Sequence, residues 1–458
     1  MQLEKNQDIE LYIEDMTTDG EGVGKLDGFP LFVKDTVIGD KAIVKVIKLK
    51  KNYGYGRLMS IIEPSKDRVA PKCPIARQCG GCQIQELAYN KQLEFKANMV
   101  KNNIERIGGI TEYEMEPIIG MEEPFYYRNK AQFPVGTDKN GNIVIGFYAG
   151  RTHCIIENDV CYIGSKRNAD IVAAVKKYMF DNNVSAYNEA DNKGLVRHIL
   201  IREGINTEQL MVCLIINGKK LPNEDAFVQA LLTTGNIDSI MLNYNTKNTN
   251  VILGEEVRLL YGTPYIEDYI GDIKYRISPL SFFQVNPKQT YKLYSKALEY
   301  ADLTGNEVVW DLYCGIGTIS LFMAPHVKKV YGVEIVPPAI KDAKENAKLN
   351  NITNAEFFVG ASEEVLPAYY DKHKDEYADV IVVDPPRKGC DEKLLNTIVK
   401  MAPKKVVYVS CDSATMARDI KYLSENGYEL KKVCPVDQFP HTCHVETVVL
   451  LSQQKPDD

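Results

Sequence analysis

The chain has 458 residues, of which 45% are hydrophobic and 26% charged, and its net charge is -7. A chain of this length rarely folds around a single hydrophobic core. At about 150 residues per domain, the length predicts roughly three domains. The composition excludes a disordered or fibrous protein. No stretch is apolar for long enough to cross a membrane, and the first residues lack a basic-then-apolar signal, so we expect a cytoplasmic protein with no membrane partner.

Residues 1–62 predict a small β-barrel, because strand-like runs alternate with glycine-rich turns. From Lys41 to Arg57 there are six basic residues and no acidic one, interleaved with Tyr53 and Tyr55. Such residues can neutralise phosphates and stack on bases, although a solvated, lysine-rich strand edge explains them equally well. The predicted strands are Ile9–Ile13, Leu31–Val33 and Ala42–Ile47.

Residues 63–276 predict an α+β middle domain. A helix with Leu93, Val100, Ile104 and Ile107 on one apolar face precedes strands at 143–148, 196–201 and 210–215. Residues 277–458 instead alternate short apolar runs with charged helical segments, which predicts a parallel α/β sheet that binds ligands at the carboxyl ends of its strands. The expected strands of this domain are 308–312, 330–334, 357–359, 380–384 and 406–410.

Several polar residues follow these strands. Asp311–Thr318 forms a glycine-containing turn, but Ser320 stands where the dinucleotide fingerprint needs glycine or alanine, so NAD is disfavoured. Glu334 ends the second strand, where a carboxylate can accept hydrogen bonds from ribose hydroxyls. Asp384–Arg387 follows the fourth strand, and its two prolines fix the carboxylate in place. These features indicate a nucleoside-bearing cofactor without a pyrophosphate, such as S-adenosylmethionine, although each is also compatible with a plain structural turn.

Two further residues have properties that catalysis requires. Cys411 follows the fifth strand just before a helix that begins near Asp412 or Ser413, and a helix start favours a thiolate. Glu446 heads the last apolar strand, where burial would raise its pKa and suit it to proton transfer. A buried structural thiol and an exposed strand-end acid are the corresponding alternatives.

A cysteine-rich loop lies near the start of the middle domain. Cys73, Cys79 and Cys82 lie within ten residues, together with Gly80 and Gly81, and such loops can wrap a metal. The spacing differs from the C-x3-C-x2-C run of radical S-adenosylmethionine enzymes. Both zinc and an iron-sulfur cluster remain open from these residues alone.

The chain resembles the RNA uracil-5-methyltransferase family over nearly its whole length. That resemblance implies a TRAM domain, an OB-like RNA-binding module, at the N-terminus and a class I methyltransferase domain at the C-terminus. The chain differs from many members of the family in having Asp412-Ser413 where they have Asn-Pro. It also has Cys443 where several members have glycine. The shared signals are Ser281–Asn286, Asp311–Gly315, Gly332–Glu334, Asp384–Arg387, Ser410–Asp412 and Pro440–Glu446.

The resemblance implies a function for each motif. Cys411 would be the nucleophile that adds to C6 of uridine, and Glu446 would be the base that removes the C5 proton. Relatives also carry a four-iron, four-sulfur cluster on a run like Cys73, Cys79 and Cys82 plus a distant cysteine, here Cys161. The residues that contact S-adenosylmethionine or hold the base beside it would be Gln284, Tyr313, Glu334 and Asp384.

The expected partner is structured RNA, 23S rRNA in preference to the T-loop of tRNA, because the barrel and cysteine loop resemble the rRNA branch. We expect a monomer. A cytosine-C5 enzyme would carry a Pro-Cys pair where this chain has Pro386-Arg387. An exocyclic-amine methyltransferase would need no nucleophilic cysteine, and a non-catalytic RNA-binding iron-sulfur protein would leave Cys411 and Glu446 unexplained.

Overall fold

The computed structural model describes residues 3–150, 152–158, 160–373 and 377–454. They form sheets of six, seven and eight strands and a separate two-stranded hairpin. Across these ranges, no helix combines the length and apolar character needed to span a membrane. The cytoplasmic location and the monomeric state stay predictions.

The six-stranded sheet forms the predicted N-terminal barrel, with strand order β1-β5-β6-β4-β3-β2. Alternate side chains point inward, as in β1, where Ile9 and Leu11 are buried between exposed neighbours. Its core also contains Ile13, Leu31, Val33, Ala42, Val44 and Val46. The strands are β1 (Asp8–Tyr12), β2 (Asp15–Met16), β3 (Gly22–Leu26), β4 (Phe29–Val33), β5 (Lys41–Leu49) and β6 (Gly54–Glu63).

Helix α1 (Tyr89–Asn103) connects the barrel to the rest of the molecule and continues as a π-helical turn at Ile104–Gly108. Val100 and Ile104 are buried, as predicted, but Ile107 is 42% exposed. The prediction is wrong for Ile107 because the wider π turn rotates later residues away from the apolar face. A short strand, β7 (Glu114–Met115), follows.

The seven-stranded sheet has the order β10-β9-β8-β11-β12-β13-β14 and belongs to the predicted α+β region. Every residue of β12, an interior strand of this sheet, is buried. Leu210 and Val212 pack under α2 and α3, whereas Met211 and Cys213 contribute to a core shared with the C-terminal domain. The elements are β8 (Lys130–Thr137), β9 (Ile143–Tyr148), β10 (Ile155–Glu157), α2 (Asn168–Asp181), β11 (Val196–Glu203), β12 (Leu210–Ile216), α3 (Glu224–Leu232), β13 (Ser239–Tyr244) and β14 (Glu256–Gly262).

The C-terminal domain follows a hairpin of β15 (Ile266–Ile270) and β16 (Ile273–Ile277). Its elements are α4 (Pro287–Ala301), β17 (Val308–Asp311), α5 (Thr318–Met323), β18 (Lys329–Glu334), α6 (Pro337–Leu349), β19 (Ala355–Val359), α7 (Ser362–Lys372), β20 (Val380–Val383), α8 (Glu392–Met401), β21 (Lys405–Ser410), α9 (Ser413–Glu425), β22 (Tyr428–Val436) and β23 (Glu446–Gln453), with a 3-10 turn at Ala324–His326.

The eight-stranded sheet of this domain has the order β19-β18-β17-β20-β21-β23-β22-β7. Strands β17 to β21 are parallel, whereas β23 runs antiparallel to β21 and β22. The carboxyl ends of the parallel strands and the first residue of β23 therefore meet at one edge. The predicted α/β class is confirmed, and the predicted boundaries at 62 and 276 stay predictions.

Candidate active site

A cavity of about 1540 Å³ lies at this edge of the sheet, between the C-terminal domain and the middle region. All ten side chains singled out in the sequence contribute to its lining. They are Cys73, Cys79, Cys82, Cys161, Gln284, Tyr313, Glu334, Asp384, Cys411 and Glu446. Residues separated by more than 350 positions thus share one cavity, although their individual roles stay predictions.

Strand register explains how the proposed reacting groups meet. Ser410 at the end of β21 pairs with Thr447 of the antiparallel strand β23. Cys411 follows Ser410 and Glu446 precedes Thr447, so Cys411 and Glu446 lie opposite each other. Strand β20 is the other neighbour of β21, and Asp384 follows its last residue. A thiol and two carboxyls therefore lie on three adjacent strands.

Burial dominates the electrostatics of the two carboxyls. It raises the pKa of Glu446, and the charge of Asp384 raises that pKa further, whereas Arg387 opposes the shift. Burial also raises the pKa of Asp384, with a second contribution from Asp311. The expectation that burial would raise the pKa of Glu446 is thus confirmed.

The thiol of Cys411 behaves differently from the expectation based on the helix start. Asp412 caps α9 by accepting hydrogen bonds from the N–H groups of Ala414 and Thr415, both at 3.0 Å. Even so, burial and then the charges of Glu446 and Asp384 raise the pKa of Cys411 to about 12. The expected depression is wrong for the free protein, because burial and two carboxylates outweigh a helix terminus.

Arg387 also lies in the site, although the motif that contains it predicted a role only for Asp384. Its guanidinium lowers the pKa values of both Cys411 and Glu446, and it lies 3.3 Å from Nε2 of His444. Arg387 and His444 both line the cavity. Their motifs were visible in the sequence, but their proximity to Cys411 depends on the packing of three separate loops.

Two acidic residues end neighbouring strands of the sheet: Glu334, which lines the cavity, and Asp311 on β17. Glu334 ends β18 and accepts a hydrogen bond from the N–H of Val336 at 2.9 Å. Asp311 accepts one from the Ser320 hydroxyl at 2.6 Å through Oδ2, whereas its buried Oδ1 has no partner among the described residues. Burial raises the pKa of Asp311 to about 6. The Glu334 carboxylate in the cavity wall suits a ligand that carries hydroxyl donors.

The segment around Gln284 joins the middle region to the C-terminal domain. The carbonyl oxygen of Gln284 accepts a hydrogen bond from Asn129 at 3.0 Å. Asn286 caps α4, and its side-chain amide donates to the carbonyl of Gln438 at 3.0 Å. The loop before Glu446 is therefore tied to the same segment that presents Gln284.

A buried ion pair anchors the other side of that loop. Lys96 on α1 lies 2.5 Å from Asp437, and both side chains are 0% exposed. Lys96 also donates to the carbonyl oxygen of Phe439 at 3.0 Å, and the Tyr89 hydroxyl donates to Asp437 at 2.8 Å. Helix α1 thus fixes the path of residues 437–439, which lie seven to nine residues before Glu446.

The four cysteines of the predicted metal site are close enough to affect one another's ionisation. Burial first, then the charges of Cys161, Cys79 and Cys73, raise the pKa of Cys82 to about 12. Folding has therefore brought Cys161 to the loop. Even so, in the part of the chain that the structure describes, no set of three or more His, Cys, Asp or Glu side chains is arranged to hold a metal ion. The metal site stays a prediction.

The basic stretch of the barrel divides into two groups. Lys41 lies near Glu10 and Glu63 and Lys45 near Asp8, at 3.4 to 3.5 Å. Lys48, Lys50 and Lys51 are exposed and form no ion pair with the described residues. Phe32, which sequence reasoning missed, lies beside the two tyrosines of the stretch, with Phe32, Tyr53 and Tyr55 at centroid distances of 5.5 to 5.8 Å.

Comparison with known proteins agrees with this architecture. The family described as tRNA (Uracil-5-)-methyltransferase matches residues 88–454, and the TRAM domain matches residues 2–59. An uncharacterized RNA methyltransferase of Bacillus cereus is 52% identical, covering 98% of each chain, and one of Clostridium tetani is 49% identical, covering 98% of this chain and 97% of the other.

A solved structure shares the arrangement. The Pyrococcus abyssi tRNA (uracil-54, C5)-methyltransferase in complex with S-adenosyl-L-homocysteine has a TM-score of 0.78 and 29% identity, covering 97% of this chain and 100% of its own. The predicted TRAM and methyltransferase regions and the enzyme class are thereby confirmed. The chain belongs to the tRNA (uracil-5-)-methyltransferase family.

Proposed function

We propose that the protein methylates C5 of a uridine in structured RNA, with S-adenosylmethionine as methyl donor and a transient bond between Cys411 Sγ and C6 of the base. The observation that carries the proposal is the placement of Cys411 level with Glu446 at the edge of one cavity. A thiol and a carboxyl on neighbouring strands can act on adjacent atoms of one pyrimidine ring.

The chemistry follows from the weak nucleophilicity of C5. The Cys411 thiolate adds to C6, and the electron pair of the C5–C6 bond moves towards C5 and O4. C5 would then bond to the methyl carbon of S-adenosylmethionine, whose methyl–sulfur bond breaks so that the sulfur keeps the electron pair as a neutral thioether. Glu446 accepts the C5 proton, the C5–C6 double bond re-forms, and Cys411 leaves as thiolate. A pKa raised by burial lets Glu446 hold the proton that it receives.

The residues present fit the methyl donor. Glu334 lines the cavity and would accept hydrogen bonds from ribose hydroxyls. Tyr313 and Gln284 line the same cavity. The donor carries a sulfonium and an ammonium, and these cations would compensate the buried carboxylates.

The RNA that we propose as substrate is 23S rRNA, on the resemblance of the barrel and cysteine loop to the rRNA branch. The name of the Pyrococcus abyssi enzyme favours tRNA as the alternative. That enzyme matches nearly the whole chain, so overall architecture does not separate the two RNAs. Mapping 5-methyluridine in 23S rRNA and tRNA from cells with and without the gene decides between them.

We also propose that Cys73, Cys79, Cys82 and Cys161 hold a four-iron, four-sulfur cluster. The support is a donor set of four thiols that line the cavity and lie close enough to affect one another's ionisation, which suits iron-sulfur or zinc. Protein purified without oxygen should contain iron and acid-labile sulfide, and Cys161→Ser should lose both as completely as Cys79→Ser. Stoichiometric zinc without sulfide would contradict the cluster.

The covalent mechanism is tested with transcripts that contain 5-fluorouridine, because fluorine at C5 cannot leave as a proton. The unaltered enzyme should form an RNA adduct that survives denaturing electrophoresis. With ordinary RNA, Glu446→Gln should accumulate a methylated adduct, whereas Cys411→Ala should bind RNA yet form no adduct and no 5-methyluridine. Cys443→Ala serves as the matched thiol control and should form the adduct. Production of 5-methyluridine by Cys411→Ala would overturn the mechanism.

A further inference from the structure

Three aromatic rings and two lysines form a surface beside the cavity that the reaction does not use. The ammonium of Lys72 lies 4.7, 5.0 and 5.3 Å from the ring centroids of Phe125, Tyr126 and Tyr162. Lys166 lies 4.8 Å from the Tyr126 centroid on the same surface. We call these five residues the aromatic-lysine surface.

This surface lies at the rim of the cavity. Tyr162 itself contributes to the cavity lining, as do Arg128 and Gly164, which are bridged to each other. On its other side, Phe125 stacks on His441 at 4.2 Å, within the loop that leads to Glu446. An RNA strand that enters the cavity beside Tyr162 would therefore pass close to these rings.

The rings are held in place by the backbone. The N–H of Tyr126 donates to the carbonyl of Tyr162 at 2.8 Å. Tyr126 has a φ of +54°, a left-handed conformation that is unfavourable for a bulky residue and that persists only where its surroundings impose it. The backbone at both tyrosines is thus constrained without bound RNA, which lowers the entropy lost when a planar ligand stacks on their rings.

The two lysines lack acidic partners. Lys72 and Lys166 are exposed, and neither forms an ion pair with a carboxylate within residues 3–150, 152–158, 160–373 or 377–454. A lysine over an exposed ring is held more weakly than a nucleobase stacked on it. A base can therefore replace the Lys72 ammonium over the rings, and the released lysine is then free to contact a phosphate.

We propose that the aromatic-lysine surface binds an unpaired nucleotide that flanks the target uridine, with its base against Tyr126 and Tyr162 and its phosphates near Lys72 and Lys166. The inference rests on the proposed function and adds a second, non-reacting base site. Holding a neighbouring base outside the stack stabilises the RNA conformation in which the target uridine can leave its own stack.

The experiment combines protein variants with RNA variants. The adduct on a 5-fluorouridine transcript first identifies the target uridine, and then each flanking nucleotide in turn is replaced by an abasic one. Tyr162→Leu should weaken binding of the intact RNA roughly tenfold, the loss expected for one stacked base. For the one abasic RNA that lacks the stacked base, Tyr162→Leu should not weaken binding further. Tyr162→Trp should bind the intact RNA as well as the unaltered enzyme does. Tyr261→Leu, an exposed tyrosine on β14, serves as the control.

The possible outcomes separate this site from the proposed function. Failure of every RNA to form an adduct would refute the function itself. In a second outcome the adduct forms normally, but Tyr162→Leu weakens binding of the intact RNA and of every abasic RNA equally. That result would overturn only the nucleotide site, and the lysine-ring contacts would then be internal packing. Lys72→Gln should lower the salt dependence of binding, and S-adenosylmethionine affinity should be unchanged in each variant.

Discussion

The charged groups of the barrel and those around the cavity occupy opposite environments. On the barrel, Lys48 and Lys50 are exposed to solvent and to salt. Near the cavity, Lys96 and Asp437 are both 0% exposed, and Glu446 is 3% exposed. Exposed charges act weakly and nearly independently, whereas buried charges depend on their partners. The barrel is therefore suited to affinity, and the cavity to positioning and proton transfer.

The largest expected difference concerns the buried pair. Lys96→Met leaves Asp437 buried without its cation and should lower the free energy of unfolding by about 3–5 kcal/mol. Lys41→Met, which removes only exposed ion pairs, should leave the free energy of unfolding nearly unchanged. Denaturant unfolding of both variants measures the contrast, and equal losses would contradict it. The double variant Lys96→Met with Asp437→Leu should be more stable than Lys96→Met alone.

The next effect concerns the charge beside the nucleophile. Because the pKa of Cys411 is raised to about 12, the thiolate fraction and the rate of adduct formation should rise about tenfold per pH unit through neutral pH. Arg387 lowers that pKa, so Arg387→Gln should slow adduct formation about tenfold for each unit that the pKa rises. Arg387→Lys should recover part of the rate.

Lys388→Gln provides the matched control for Arg387, because Lys388 is the exposed neighbour in the same loop. Its rate and pH profile should equal those of the unaltered enzyme. A pH-independent adduct rate in all four proteins would mean that deprotonation of Cys411 does not limit the reaction.

The smallest effect is expected on the barrel. Replacing Lys48, Lys50 and Lys51 by glutamine should weaken RNA binding and lower its salt slope by roughly one counterion per lost phosphate contact. Replacing Lys41 and Lys45, which lie near carboxylates, should alter the slope less. Binding titrations at several salt concentrations test this, and identical slopes for the two sets would favour the solvated-edge interpretation.

Particular residues show how far sequence reasoning reached. The strand positions of the C-terminal domain and the start of α9 at Asp412 were predictable, because apolar periodicity and capping act locally. Ile107 was misplaced because a π turn left no signal in the apolar pattern. The ionisation of Cys411 was misjudged because its dominant causes, burial and the charge of Glu446, come from distant parts of the chain.

The sequence by itself determined the three regions, the strand-end motifs and the identity of the ten candidate side chains, since these depend on local pattern and on the resemblance of ordered motifs. Only the tertiary structure decided that Arg387 lies near Cys411 and that Lys72 lies over three rings. These contacts arise where separate loops pack together, and a pairing between loops leaves no periodic signal in the chain.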